Sequence, residues 1–438
     1  MRHVLVMTLT GSLGLIFMFL VDVATLFWVS KLEQERLMAA LGFAWTIQFF
    51  TISVGIGLII ATTAQVSRSI GQGNLELARK QTTSAMIYAV GIQIVLATFV
   101  VVYRFEILSM AGASGETLRD AAHFLTISIP SLPVFVIGMV GSAVLRSVGD
   151  AVGAMIVTLA AGLIAMVVDP LLIFGFDLGL EGAAWGVAIS RGSSALLSAW
   201  LVIHVHKMTT RVSLAEVVRM FKPYVLIASP AIMTQLSTPF GNYLLTKVIA
   251  NHGDAAVAGW AVISRVAVLA FGGIFSLSGA IGGIIGQNFG AGQMDRVRQT
   301  FRDALLFCLV YTLGAWALLA IFHNPIARLF NLGPNATQVL GAFTLIGAGG
   351  YVFTGALFVS NAAFNNLGRP LYSTACNWFR DGLLIYPCAA ALGAAWGAPG
   401  VIYGQALAAA ISGTLAVLWG WSFVNRLARS IPVSPAKA

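Results

Sequence analysis

Charge is scarce in this chain. Of its 438 residues only 9% are Asp, Glu, Lys or Arg, against about 25% in a soluble globular protein. So little charge excludes an ordinary soluble fold. Cysteine is scarce too: Cys308, Cys376 and Cys388 all fall in apolar segments, which argues against a disulfide framework and a cysteine metal site. There is no GxxxxGK[ST] loop, so the chain has no phosphate-gripping ATPase motif of its own. No Ser/His/Asp or metal-ligand constellation stands out. His204 and His206 are two residues apart near the end of an apolar run and point to different faces. Neither an enzyme, a cofactor nor a bound metal is expected. The net charge of +9 does not mark a nucleic-acid binder, because the basic residues sit in short loops beside apolar runs, where membrane orientation accounts for them.

What the chain has in quantity is apolar sequence, 58% of it. A membrane span needs roughly 20 apolar residues. Twelve such runs can be counted: 4–29, 39–65, 83–103, 121–146, 151–176, 180–203, 223–250, 256–286, 303–322, 338–364, 371–397 and 400–424. The first is too long for a signal-peptide core and lacks a small-residue cleavage site, so it reads as a true span. An all-α membrane protein with twelve transmembrane helices is expected. With the N-terminus placed in the cytoplasm, 16 of the 25 Lys and Arg residues fall on the cytoplasmic side and 5 outside. That bias puts both termini in the cytoplasm.

The chain also repeats itself. GQGNLELARKQT (71–82) resembles GAGQMDRVRQT (290–300), LRSVGD (145–150) falls where NNLGRP (365–370) falls, and EGAAWGVAIS (181–190) matches APGVIYGQAL (398–407). Aligning their glycines gives offsets of 219, 219 and 218. Each half therefore has six spans, and two halves with an even count share one orientation, a recurring plan among transporters. The expected division is an N-terminal lobe at 1–206, a basic linker at 207–222 and a C-terminal lobe at 223–438.

More than two residues in from the ends of these runs lie three acids, Asp22, Asp169 and Asp381, and four bases, Arg191, Lys247, Arg265 and Arg380. Such groups are costly in hydrocarbon and are functional candidates by default. Asp22 and Asp169 each lie 18 residues past the cytoplasmic start of their run, roughly 27 Å along a helix. Two carboxylates at one depth in one half can share a cation or a proton. A salt bridge or snorkelling for Asp22, and a helix kink at Asp169–Pro170, are the structural alternatives. Arg191, at matching depth on the adjoining antiparallel helix, is a candidate partner of Asp169. Arg380 and Asp381 are neighbours on the eleventh helix and are expected to point apart, each needing a partner elsewhere; Arg265 is a further candidate. Lys247 is close enough to its helix end to snorkel. An offset of 220 sets Asn242 opposite Asp22. With Gln235 and Thr238 on the same helix, Asn242 is a candidate lining for a substrate cavity.

These segments, in order, resemble the MATE (multidrug and toxic compound extrusion) transporters over almost the full length. The matching pieces are LVDVATLFWVSKL, IGQGNLELAR, VLRSVGDAVGAM, VVDPLLIFG, GAAWGVAIS, GQNFGAGQMDRVR and FNNLGRP, followed by Arg380 and Pro387. The resemblance implies two six-helix lobes in a V, acting as a monomer in the inner membrane. It implies export of cationic or amphipathic drug-like molecules in exchange for H+ or Na+. The family's ion-coupling aspartates fall on Asp22 and Asp169. Sodium-binding members carry an asparagine and a threonine where Ala165 and Val187 stand here, and the acidic residue of one bacterial branch is missing from the seventh helix. The chain is thus nearer the DinF-like branch, and protons are favoured over sodium. The first helix has no proline, so any bend there would rely on Gly11 and Gly14. The rival reading is a lipid-linked precursor flippase of the same superfamily, for which Arg191, Arg265 and Arg380 would meet an anionic headgroup.

Overall fold

The computed structural model describes residues 2–32, 35–330 and 332–430. Among the described residues there is no β-strand; all regular structure is helical. In hydrocarbon the backbone must satisfy its own hydrogen bonds, and helices do so within one segment. In chain order the long helices are α1 (Arg2–Ser30), α2 (Glu35–Gly71), α3 (Leu75–Val102), α4 (Gly115–Val148), α5 (Ala151–Gly175), α6 (Gly179–Val205), α7 (Leu214–Ala250), α8 (Asp254–Gly290) and α9 (Met294–Ile321). Next comes α10, in two pieces, Pro334–Leu345 and Gly347–Asn366, bent by 41°. The helical stretch Pro370–Ser430 is divided by Gly397 (φ 67°) into α11 (370–396) and α12 (398–430). These are the twelve helices that the apolar runs predict.

The sequence repeat reappears as repeated local structure. Short helices occupy Arg104–Met110 after α3 and His323–Leu329 after α9. The glycines at equivalent turns, Gly149 and Gly368, take left-handed conformations with φ of 93° and 89°. A side chain at such a φ costs roughly 1–2 kcal/mol. Gly149 ends α4 by donating its N–H to the carbonyls of Arg146 and Leu145. Asp150 then starts α5, its side chain accepting from the Gly153 N–H at 2.7 Å, as an N-cap should. Asp150 also meets Nε2 of His206 at 2.8 Å.

The chain forms two compact units. One comprises the described parts of Met1–Ser12 and Met233–Ala438, the other Leu13–Ile232. Gly11 and Gly14 both lie within the helical range of α1, Arg2–Ser30. In its own unit each of these glycines is a contact point: Gly11 lies against Ser276, and Gly14 against Thr158.

Unit 13–232 has two apolar cores. One gathers Val29, Leu41, Ile47, Leu125 and Ile129; the other gathers Leu58, Ala89, Val140, Val144 and Tyr224. Toward the border of the first core with the second, α2 carries Gln48 and Thr51 and α4 carries Ser128 and Ser131, all buried. A polar layer thus interrupts an otherwise apolar interior.

The segment joining α6 to α7 is tied down on α3. Thr83 donates to the Thr210 carbonyl at 3.0 Å, the Tyr88 hydroxyl donates to the Val217 carbonyl, and Lys80 Nζ lies 2.8 Å from Glu216 Oε1. The Lys80 hydrogen bond, helped by Ser213, pushes the Glu216 carboxyl down to about 2 from its ordinary 4.5. A lowered carboxyl contributes stability above its unfolded value and loses it as pH falls toward the folded one. The tether should therefore hold unchanged from neutral pH down to about 5 and weaken only well below that. Lys80→Ala should loosen it at every pH. The mobility of a nitroxide placed at Val212→Cys reports both.

Candidate coupling site

The site lies within unit 13–232 and is built by α1 and α5 lying side by side. They pack closely because α5 offers Gly162 to Phe17 and Val21, where a Cβ would clash. Small residues at such a seam let membrane helices approach. The approach brings Thr25 onto Asp169: Thr25 Oγ1 donates to Asp169 Oδ2 at 2.5 Å. Both residues are buried, Asp169 to 2% exposure. On the far side, Gly186 of α6 presses on the carboxylate, so that a Cβ there would overlap Asp169 Oδ1. That oxygen has no hydrogen-bond partner among the described residues. The chain continues through Pro170 into a wide π turn, Leu171–Gly175, so the proline widens the helix rather than ending it.

Asp22 sits one turn before Thr25 on α1. Unlike Asp169 it is exposed, and among the described residues it makes no hydrogen bond. It stands within electrostatic range of both Asp169 and Arg191. The two acids that the sequence places at one depth thus act on each other, one open to the surface and one enclosed.

Arg191 does not touch Asp169. It is 5% exposed, and its guanidinium turns toward α2 and α4. It donates to the Ser128 carbonyl at 2.8 Å, to Ser131 Oγ at 2.9 Å and to Gln48 Oε1 at 2.5 Å. It also lies over the Phe135 ring, 5.2 Å from the centroid. All these acceptors are neutral. A buried cation held in this way offsets nearby negative charge without occupying either carboxylate.

In the other unit, the expectation that Arg380 and Asp381 point apart is corrected. Arg380 Nε lies 2.7 Å from Asp381 Oδ1, and Nη2 lies 2.9 Å from Oδ2, a two-pronged ion pair between chain neighbours. The physical reason is the π turn Phe379–Leu384 that holds both. With more residues per turn than an α-helix, adjacent side chains leave the axis at a smaller angle, and the long arginine stem closes the rest. Ser237 of α7 also donates to Asp381 Oδ2 at 2.9 Å. Asn242 and Arg265 are exposed, Gln235 and Thr238 half-buried, and among the described residues none of the four makes a side-chain hydrogen bond. No group of three or more His, Cys, Asp or Glu that could hold a metal occurs among the described residues.

Sequence reasoning missed Thr25, Gln48, Ser128, Ser131 and Ser237. Only Thr25 had a usable signal, its place three residues after Asp22 on the same helical face. The others become relevant only once α2, α4, α6, α7 and α11 are packed.

Two six-helix halves in one orientation, with carboxylates enclosed in the helices, are the plan of a polytopic transporter. The chain belongs to the MatE family, whose model matches residues 12–171 and again 230–390. The FAD transporter of Shewanella oneidensis is 30% identical over 397 residues, covering 89% of this chain and 87% of that protein. The multidrug export protein MepA of Staphylococcus aureus is 24% identical over 439 residues, covering 96% and 93%. Among solved structures, the Vibrio cholerae MATE transporter VcmN in its bent form shares the fold with a TM-score of 0.90 at 24% identity, covering 98% and 97%. A MOP superfamily transporter from Pyrococcus furiosus, described as having a binding pocket of reverse polarity, also scores 0.90 at 20% identity, covering 97% and 96%.

Two replacements test the geometry. Thr25→Val keeps the shape but removes the donor, and should lower stability by about 1–3 kcal/mol, the cost of an unsatisfied buried polar group, while Thr25→Ser should restore it. Gly186→Ala should force the Asp169 carboxylate aside and abolish transport while leaving the protein extractable and folded. Thermal unfolding in detergent, paired with transport in vesicles, reads both.

Proposed function

We propose that this chain exports cationic or amphipathic small molecules across the inner membrane in exchange for protons, with Asp22 and Asp169 as the coupling pair and both termini in the cytoplasm. The observation that carries the reading is the state of the two acids. Among the described residues Asp169 keeps one oxygen without a hydrogen-bond partner beside the Thr25 hydroxyl, and Asp22 is exposed and makes no hydrogen bond, within electrostatic range of it. Carboxylates that share no permanent base can take and release a cation. Protons suit this pair better than sodium. A hard cation wants about six oxygens, whereas Ala165 and Val187 offer no side-chain oxygen where a sodium shell would need one. In the cycle, protons arriving from outside neutralise the pair and release the cationic substrate. The return to the cytoplasm discharges the protons and re-creates the charge that captures the next molecule. The drug-export name of the Staphylococcus aureus relative accords with such substrates.

A second reading is favoured by Arg265, exposed and without an ion pair among the described residues, and by the FAD transporter among the relatives. It is export of an anionic molecule bearing phosphate, whether a dinucleotide or a lipid-linked headgroup.

Reconstituted vesicles with an imposed proton gradient separate the readings. The wild-type protein should move a cationic dye against its gradient, and Asp22→Asn should reduce that movement at least tenfold. Undiminished proton-driven export by Asp22→Asn would overturn the coupling assignment. Movement of FAD or a labelled lipid pyrophosphate, without movement of the dye, would favour the second reading.

A further inference from the structure

Unit 233–438 encloses a second carboxylate whose surroundings differ in kind from those of Asp169. Asp381 lies on α11 and takes a hydroxyl from α7, just as Asp169 on α5 takes one from α1. The chain separation is 144 residues in both pairs. The two acids therefore sit on equivalent seams of the repeat. Glycine again lets the helices close: a Cβ at Gly241 of α7 would lie 2.9 Å from the Asp381 Cβ. Along α11 the same face carries Ser373, Asn377 and Asp381 at four-residue spacing, all buried to 2% exposure or less. Ser373 donates to Asn365 Oδ1 at 3.0 Å, and Asn377 Nδ2 donates to Asn361 Oδ1 at 3.0 Å. This polar column is neutral except at its end, where Arg380, 7% exposed, grips both oxygens of Asp381. Among the described residues Tyr351 of α10 also stands within electrostatic range of the guanidinium.

The contrast with the first half is chemical. Asp169 has a hydroxyl on one oxygen and, among the described residues, no hydrogen-bond partner on the other. Asp381 has a hydroxyl on one oxygen and a guanidinium across both. We infer that Arg380 is a tethered counter-cation that permanently occupies, at Asp381, the place a transported proton takes at Asp169, so that the second carboxylate is withdrawn from ion exchange. Arg380 is thus a positioning residue: it leaves the first half as the sole carrier of coupling charge. The contrast with Asp169 as a proton carrier rests on the proposed function, but the state of Asp381 does not.

Infrared spectroscopy of the full-length protein in lipid nanodiscs tests the inference without any substrate. At neutral pH, Arg380→Gln should gain one protonated-carboxyl C=O band per molecule. The double replacement Arg380→Gln with Asp381→Asn should lack that band, and Arg380→Lys, which keeps the charge, should gain none. A folded Arg380→Gln protein without the new band would overturn the inference. So would a protonated-carboxyl band in the wild type that disappears in Asp381→Asn. Should Arg380→Gln fail to fold, recovery of folded protein in the double replacement supports the inference, because the arginine is then needed only to neutralise Asp381. Failure of the double replacement as well overturns it. None of these readouts depends on which ion drives transport, so loss of the proton-coupling assignment would leave the result legible.

Discussion

A carboxylate inside a hydrocarbon slab has no water to lean on, and the protein itself must supply whatever stabilises it. In this chain that demand falls on the contact between Thr25 and Asp169. It needs α1 and α5 close enough for a threonine hydroxyl to reach a buried acid, hence Gly162 at their seam. It needs α6 pressed from the other side without blocking the carboxylate, hence Gly186. The hydroxyl satisfies one oxygen and leaves the other open. Had the chain satisfied both, the acid would be structural; had it satisfied neither, the helix pair would carry an unsupported charge.

The two buried arginines show how one residue type can serve opposite ends. Arg191 spends its hydrogen bonds on Gln48, Ser131 and a backbone carbonyl, and reaches Asp22 only through its field. Arg380 spends its bonds on Asp381 itself. A guanidinium offers five donors in a fixed plane, so the arrangement of acceptors around it decides whether it neutralises a carboxylate or merely biases it. In the first case neutral acceptors from α2 and α4 capture the fork. In the second a wide helical turn folds the neighbouring carboxylate into it.

The repeat has diverged where function would demand it. Turn glycines, short connecting helices and helix seams recur in both halves with nearly the same spacing, because each is a packing requirement that both halves must meet. The polar contents of the seams do not recur. Asn242 stands opposite Asp22, and the second buried acid is shifted along its helix and carries its own base. Duplicated scaffolds can tolerate this, since a membrane helix pair needs close contact and satisfied polar groups but not any particular polar group.

The sequence by itself determined the membrane class, the number of long helices and the duplication, and it singled out Asp22 and Asp169, while the helices run past several of the apolar runs, as α3 and α9 do at their starts. Apolar length and period survive translation into a bilayer without ambiguity, because the solvent is uniform and helices are the only open-chain answer to it. It did not determine what each acid touches. Residue numbers on one helix give depth, but rotation about the axis and the identity of the facing helix come only from packing. So Arg191, matched in depth with Asp169, turns instead to a polar layer contributed by α2 and α4. The neighbours Arg380 and Asp381, which an ideal α-helix would splay, meet in a π turn. Which carboxylate keeps a free oxygen and which is closed was decided by the folded structure: hydroxyls from α1 and α7 come within 3 Å of the acids on α5 and α11, and the wide turn of α11 folds the neighbouring guanidinium onto the second acid alone.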